Sequence, residues 1–291
     1  MAMRVVVTGG AGTLGSPVCK ELADSGFEVR AVDRIYRREV PVPLEVADLL
    51  DAQAAYRLLK GCAAVVHLAN HPNPHGHLPP QRLYIENVAM DMNVFQAAAD
   101  LGVRKIVFAS SVQVFSGDRT TDDLDRPSCL AYLPIDGDMP ACPRNSYALS
   151  KETGEQQLRY FASLDRDLAC VALRFPALRT PWHMQWLGKV GPRAPRPYAT
   201  HPDEGFGYLT VEDAGRLVVA VLLKLPPGYH QFLPAAPDNS FGMSTSEMIE
   251  KFYAGVPIRK PIEGKTSVID TSAITEQVGW TPRDAAFSQE G

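Results

Sequence analysis

The chain has 291 residues and a formal net charge of −4, with 45% apolar and 21% charged residues. This length holds one large α/β domain with an appendage, or two domains, and buries enough surface for a real core. The slightly acidic balance argues against nucleic acid as a partner, and the longest apolar run, Leu217 to Leu223, is far too short to cross a bilayer.

In chain order, short apolar runs alternate with amphipathic stretches, the pattern of βαβ units around a parallel sheet. A buried strand is expected over 4–8, a helix over 16–25 closed by Gly26, and a second strand over 27–32 ending at Asp33. A helix over 51–60 and a strand over 63–68 follow, then a long helix over 84–101 closed by Gly102 and a strand over 105–110. The next pair is a helix over 146–163 and a strand over 168–173. From Pro176 to Gly207, two tryptophans, six prolines and four glycines read as a structured loop region. Helices are expected over 211–223, with Thr210 and Asp213 placed as a weak capping box, and over 244–253. The fold class is α/β. A Rossmann-type doubly wound parallel sheet over 1–175 is followed by a small C-terminal substrate-binding lobe over 176–291, interleaved with the last elements of the core.

Proline punctuates this plan. There are 24 prolines, about 8% against a usual ~5%, and none falls in 18–40, 81–126, 144–175 or 203–225. A residue that fixes φ and lacks a donor leaves regular elements to those windows and stiffens the rims at 72–80, 127–143 and 176–202. The five cysteines, Cys19, Cys62, Cys129, Cys142 and Cys170, are odd in number, widely spaced and without a C-x-x-C pair, which reads as reduced thiols. The start, Met1-Ala2-Met3-Arg4 running straight into Val5-Val6-Val7, has no signal-peptide core, so the expected location is the cytoplasm.

Between the first strand and helix stands Thr8-Gly9-Gly10-Ala11-Gly12-Thr13-Leu14-Gly15, with glycines 9, 12 and 15 spaced G-x-x-G-x-x-G. Glycine serves a sharp turn, close approach of backbone to a pyrophosphate, and tight packing of helix on strand; the helix start then offers N–H groups to phosphates. Asp33, 18 residues after Gly15, suits the two ribose hydroxyls of an adenosine and favours NAD. Arg34, Arg37 and Arg38 beside it leave NADP open, their other reading being a solvated turn.

Tyr147 and Lys151 stand at i and i+4, on one face of a helix. A free phenol with pKa near 10 is a poor base at neutral pH, and a neighbouring ammonium favours its phenolate. Ser110 and Ser111 end a strand at the sheet edge where such folds hold ligands.

Thr8 to Gly15, Ser111 and Tyr147-x-x-x-Lys151 together resemble the short-chain dehydrogenase/reductase superfamily, and within it the extended NAD-dependent epimerase/dehydratase branch. The resemblance extends through Asp48-Leu49, His67-Leu68-Ala69, Asn87, Leu173-Arg174, Val211-Glu212-Asp213 and the ending from Ile269 to Pro282. It implies that Gly9, Gly12, Thr13, Leu14, Gly15 and Asp33 hold NAD, with Arg34, Asp48, Leu49, Leu68, Ala69 and Asn87 around it. It also implies that Ser111 and Tyr147 bind the reacting hydroxyl, that Tyr147 is the base, and that Lys151 lowers the phenol's pKa and holds the nicotinamide ribose.

The departures bear on the substrate. Phe115 replaces a usual tyrosine, while Ser146 and Ala148 replace a proline and a glycine. Leu173-Arg174-Phe175 continues into Pro176-Ala177 where nucleotide-sugar members carry an asparagine, and Phe206 stands where they carry a diphosphate-clamping arginine. The stretch from Pro176 to Asp213 is also short for a nucleotide. The expected reaction is therefore hydride abstraction from a sugar, sugar acid or polyol, as in the uronate dehydrogenases of this branch. The alternatives are a nucleotide-sugar epimerase/dehydratase and a non-catalytic dinucleotide-binding sensor. Candidate substrate contacts are Ser111, Gln113, Arg179 and Trp182. Arg179, Arg193 and Arg196 read either as anion binders or as solvent-facing loop charges, and Trp182 with Trp186 as lobe core ahead of a sugar-stacking pair. His71, His75 and His77 read as a polar lid, with no metal expected. The helices over 84–101 and 146–163 are the expected homodimer interface, with Ala97, Ala98 and Ala99 allowing close approach.

Overall fold

Arg4–Thr8 becomes β1, and its valines alternate between two cores even though the sequence there is uniformly apolar. The computed structural model that shows this describes residues 2–72, 78–120, 125–190, 201–240, 242–262 and 266–286. Val5 and Val7 face a cluster formed with α1 (Gly15–Asp24) and α7 (Val211–Lys224). Val6 faces a second cluster formed with α2 (Ala52–Leu59), α3 (Pro80–Asp100) and α5 (Ser146–Leu164). A sheet covered on both faces explains why its strands read as continuous hydrophobic runs.

The main sheet is seven-stranded and parallel, in the order β3-β2-β1-β4-β5-β6-β9. Besides β1 it contains β2 (Glu28–Asp33), β3 (Leu44–Val46), β4 (Ala64–His67), β5 (Lys105–Ser111), β6 (Ala169–Phe175) and β9 (Gly228–Phe232). Every strand expected from the sequence is present, and β3 and β9 add the two edges. The region after Pro176 is more regular than its composition implied. Within it, β7 (Ala177–Arg179) pairs in parallel with β8 (Tyr208–Thr210), and Pro181 opens α6 (Pro181–Val190), a helix that a first-turn proline favours.

A third core cluster lies beyond the carboxyl end of β5. It joins Phe115 of α4 (Gln113–Ser116), Leu130 to Met139, Phe206, and residues around α8 (Thr245–Phe252). α9 (Ser272–Val278) returns to the first cluster. Thr210 caps α7 by accepting from the Asp213 N–H at 3.1 Å, but the box is not reciprocal. The Asp213 carboxylate instead accepts from the backbone N–H groups of Arg283 and Asp284 at 3.0–3.1 Å and so anchors the C-terminal segment. The complete capping box is at Ser244 and Glu247.

Three expectations about surfaces change. Ala97 and Ala98 are buried in the second cluster, so their small size serves the core and not an interface. Trp182 is 64% exposed, stacked edge-on against His183 outside every core cluster. Arg179 is buried in β7 and is not a solvent-facing charge, whereas Arg193 and Arg196 lie outside the described residues. Among the cysteines, Cys19, Cys62 and Cys170 are buried, while Cys142 Sγ donates to Cys129 Sγ at 2.6 Å despite their sequence separation. No described helix is long and apolar enough to cross a membrane.

One buried ion pair fixes the rim to the sheet. Arg174 donates from Nε and Nη2 to both oxygens of Glu155, at 2.9 and 2.8 Å, and from Nη1 to the carbonyls of Gly137 and Met139. Arg174→Met is expected to destabilise the protein by about 3–5 kcal/mol, because it strands a buried carboxylate. The double variant with Glu155→Leu should recover much of that loss in denaturant titration, and equal losses would contradict the ion-pair account.

Candidate active site

A cavity of about 530 Å³ opens at the carboxyl ends of the strands, across the point between β1 and β4 where strand order reverses. One end is built on the turn after β1. Gly9 has φ +69°, and a Cβ on Gly15 would lie 2.1 Å from the Gly9 carbonyl oxygen, so only glycine lets α1 start against that turn. Gly12, Thr13 and Leu14 line the cavity, and no side chain caps α1 at Leu14. The first-turn N–H groups and the positive end of the helix dipole are therefore presented to an anion.

Asp33 ends β2 in the same wall. Its carboxylate accepts from the N–H groups of Ala11 at 3.0 Å and Ile35 at 3.3 Å, with Arg34 and Arg37 alongside. Asp48 and Leu49 continue this wall, and Asp48 is oriented by the Leu50 N–H at 2.9 Å. Leu68 and Ala69 form the opposite side. Beneath them the Thr8 hydroxyl accepts from both of their N–H groups, at 3.2 and 3.3 Å, and its own proton then points to His67 Nδ1 at 2.6 Å. That leaves His67 Nε2 to donate to Asp91 Oδ1 at 3.0 Å, a buried network seating the exit of β4 under the glycine turn.

At the other end, Ser111, Gln113 and Tyr147 share the wall. Asn145 caps α5 by accepting from the Ala148 N–H at 2.8 Å and donates to Gln113 Oε1 at 3.3 Å, which ties Gln113 to the helix carrying Tyr147. Burial, with the charges of Asp91 and Glu204, pushes the Tyr147 phenol up to about 12, while the Ser111 hydroxyl within hydrogen-bonding reach pulls it down.

The residues 5–203 match the model of the NAD dependent epimerase/dehydratase family. The chain belongs to that family. It is 31% identical over 184 residues to the NAD-dependent glucose-6-phosphate dehydrogenase of Haloferax volcanii, covering 60% of this chain and 68% of that protein. It is 29% identical over 320 residues to the UDP-glucose 4-epimerase of Azospirillum brasilense, covering 96% and 87%. The structure of the Thermus thermophilus UDP-glucose 4-epimerase in complex with NAD superposes with a TM-score of 0.68 at 22% identity, covering 97% of this chain and 95% of that one. The family is one of NAD-dependent enzymes, and the glycine turn, the uncapped start of α1 and the acid ending β2 are a cradle that NAD fits.

Four residues expected around the ligands, two from the family resemblance and two as substrate contacts, do not line the cavity. Asn87 is fully buried; its Oδ1 accepts from the His71 N–H at 2.8 Å and its Nδ2 donates to Ser150 at 3.1 Å, so it seats the wall from behind. Lys151 is also buried, with Nζ 4.7 Å from the Phe108 ring centroid and 5.9 Å from that of Tyr147. Burial lowers its own pKa, against the opposing pull of Asp91 and Glu155. Arg179 and Trp182 are the other two, the first buried in β7 and the second exposed on α6. Of the three histidines, His71 lines the cavity and pairs with Glu86 at 2.7 Å, while His75 and His77 lie outside the described residues. Among the described residues no three metal-ligating side chains cluster. Sequence reasoning missed Glu204, which lines the cavity. No motif marks a lone acid in a proline-rich loop.

Proposed function

We propose that this protein is an NAD-dependent oxidoreductase that takes hydride from a carbinol carbon of a small carbohydrate-type substrate, a sugar, sugar acid or polyol, with Tyr147 as the base. The observation that carries the reading is the Ser111–Tyr147 hydroxyl pair in the wall of the cavity that also holds the glycine turn. NAD, when bound, supplies the hydride acceptor at C4 of its nicotinamide. The chain's own part is to hold the carbinol hydroxyl between Ser111 and Tyr147 and to receive its proton on the phenol oxygen. With the phenol up near 12, this requires positive charge nearby, which the Lys151 ammonium, 5.9 Å from the Tyr147 ring centroid, supplies and which an oxidised nicotinamide would add to. Lys151, from behind, supports the ring of Tyr147 and the floor at Phe108.

The relatives' names include both nucleotide-sugar and sugar-phosphate enzymes. This chain's own rim favours the smaller substrate, since Pro176 and Ala177 line the cavity and Phe206 is packed into the third core cluster. Asp33 would accept the two ribose hydroxyls of NAD. Asp33→Asn is expected to narrow the preference for NAD over NADP roughly 10-fold, as the loss of one charged hydrogen-bonding group. Fluorescence titration with both cofactors measures it, and an unchanged ratio would assign the choice to Arg34 and Arg37.

The test of the whole reading is to ask whether purified protein retains NAD and whether sugars, sugar acids or polyols reduce it, read at the absorbance of the reduced cofactor. Net reduction with exchangeable NAD indicates a dehydrogenase; retained NAD with product epimers indicates an epimerase. Binding without any reduction would leave the sensor reading. We further propose that residues 176–291 cover the substrate and that two chains pair through α3 and α5, which expose Ile85, Met92, Leu149 and Tyr160. A sedimentation mass of one 31.8 kDa chain would remove the pairing.

A further inference from the structure

We propose that Glu204 is the residue that selects the substrate, pairing with a second hydroxyl and restricting the site to uncharged polyhydroxy compounds. This rests on the hydride-transfer reading above and narrows it by excluding sugar acids, sugar phosphates and nucleotide diphosphates.

Glu204 shares the cavity wall with Ser111, Gln113 and Tyr147, and its charge is felt at the Tyr147 phenol. Its position is built, not incidental. It ends the short 3-10 turn Pro202–Glu204, and the next two residues both take the left-handed region, Gly205 at φ +66° and Phe206 at φ +51°. That conformation is uncommon for phenylalanine and persists where the surroundings impose it. Here they do: the Phe206 carbonyl accepts from both the N–H and the hydroxyl of Ser240 at 2.9 Å, and its ring packs into the third cluster. On the other side the buried Asp203 carboxylate accepts from Arg119 at 3.0 Å, Ser128 at 2.8 Å and the Cys129 N–H at 3.0 Å. The turn is clamped from both flanks, and Glu204 is the side chain left to the cavity.

The charges around it disfavour an anion. Asp118, held by Asn145 at 3.2–3.3 Å, adds a second negative charge next to Glu204. Arg179 and His201 oppose it and the Ser116 hydroxyl is within hydrogen-bonding reach, yet burial and Asp118 leave the carboxyl above its usual range. Arg179, whose charge acts on Glu204, does not line the cavity, and the described arginines that do, Arg34 and Arg37, stand in the wall beside Asp33. As a carboxylate, Glu204 accepts from a sugar hydroxyl, and with Asp118 beside it repels a ligand anion brought to this end of the cavity.

The test uses the full chain with NAD⁺ and compares D-galactose, D-xylose and myo-inositol with D-galacturonate, D-glucose 6-phosphate and UDP-glucose. Both reduced cofactor and epimeric products are read. The best uncharged compound should exceed the best anion in kcat/KM by at least about 100-fold, the effect of unpaired like charge in a partly buried site. Glu204→Gln, which keeps shape, should collapse that ratio roughly 10-fold or more by admitting the anions. Misfolding cannot produce a change in ratio. A wild-type preference for any anion, or a ratio unchanged in Glu204→Gln, overturns the inference while leaving the hydride reading intact. Hydride transfer from none of the six overturns both.

Discussion

Tyr147→Phe is expected to lower turnover by about 10³-fold or more, the range of a lost acid–base group, while NAD stays bound with little change in affinity. The substitution removes one oxygen and keeps the ring that packs over the buried Lys151. It takes away the group that would receive the carbinol proton and leaves the glycine turn and Asp33 untouched. Steady-state rates and cofactor titration on the same preparation separate the two effects. Near-normal turnover in this variant would remove Tyr147 as the base, and a matching loss of NAD binding would make its role structural.

Gly15→Ala is expected to have the opposite profile, a loss of cofactor first. The new methyl would meet the Gly9 carbonyl oxygen at 2.1 Å, and neither atom has a flexible side chain through which to yield. The start of α1 must then move off the turn, at an overpacking cost of about 1–3 kcal/mol. A displacement of that kind takes the first-turn N–H groups away from the pyrophosphate, and NAD affinity should fall roughly 100-fold. Gly26→Asn is the control: Gly26, at φ +86°, has nothing within 4 Å of an added Cβ, so its substitution brings backbone strain away from the turn without a clash. Isothermal titration of both variants with NAD decides it; equal affinity for wild type and Gly15→Ala would contradict the cradle.

The parts of this molecule legible in its sequence are those set by local pattern. The buried runs of β1, β4, β5 and β6, the glycine turn and the Tyr147–Lys151 spacing are each contained within a few consecutive residues, so the geometry of each follows from short-range rules. β9 reads as Gly-Tyr-His-Gln-Phe because it is an edge strand paired on one side only, and it lacks the apolar run that marked the central strands. β7 and β8 are three residues each and form through mutual pairing across a proline-rich stretch, which no local signal records. Asn87 and Lys151 carry the same lesson at the site. Their helices were correctly expected, but which of their neighbours they would touch depends on how α3 and α5 pack against each other and α5 against β5. Glu204 is the clearest case, because its place in the wall arises from a clamp assembled from Arg119, Ser128, Cys129 and Ser240, spread over more than a hundred positions.

The central claim is that hydride passes from a carbinol carbon to the nicotinamide with Tyr147 taking the proton. The measurement that meets it most directly mixes the protein and NAD⁺ with sugars and polyols deuterated at every carbon, and follows deuterium at C4 of the nicotinamide by NMR. Deuterium at C4 with the wild type and little or none with Tyr147→Phe is the predicted result. Product formed without deuterium reaching the nicotinamide, or equal transfer in Tyr147→Phe, would contradict it.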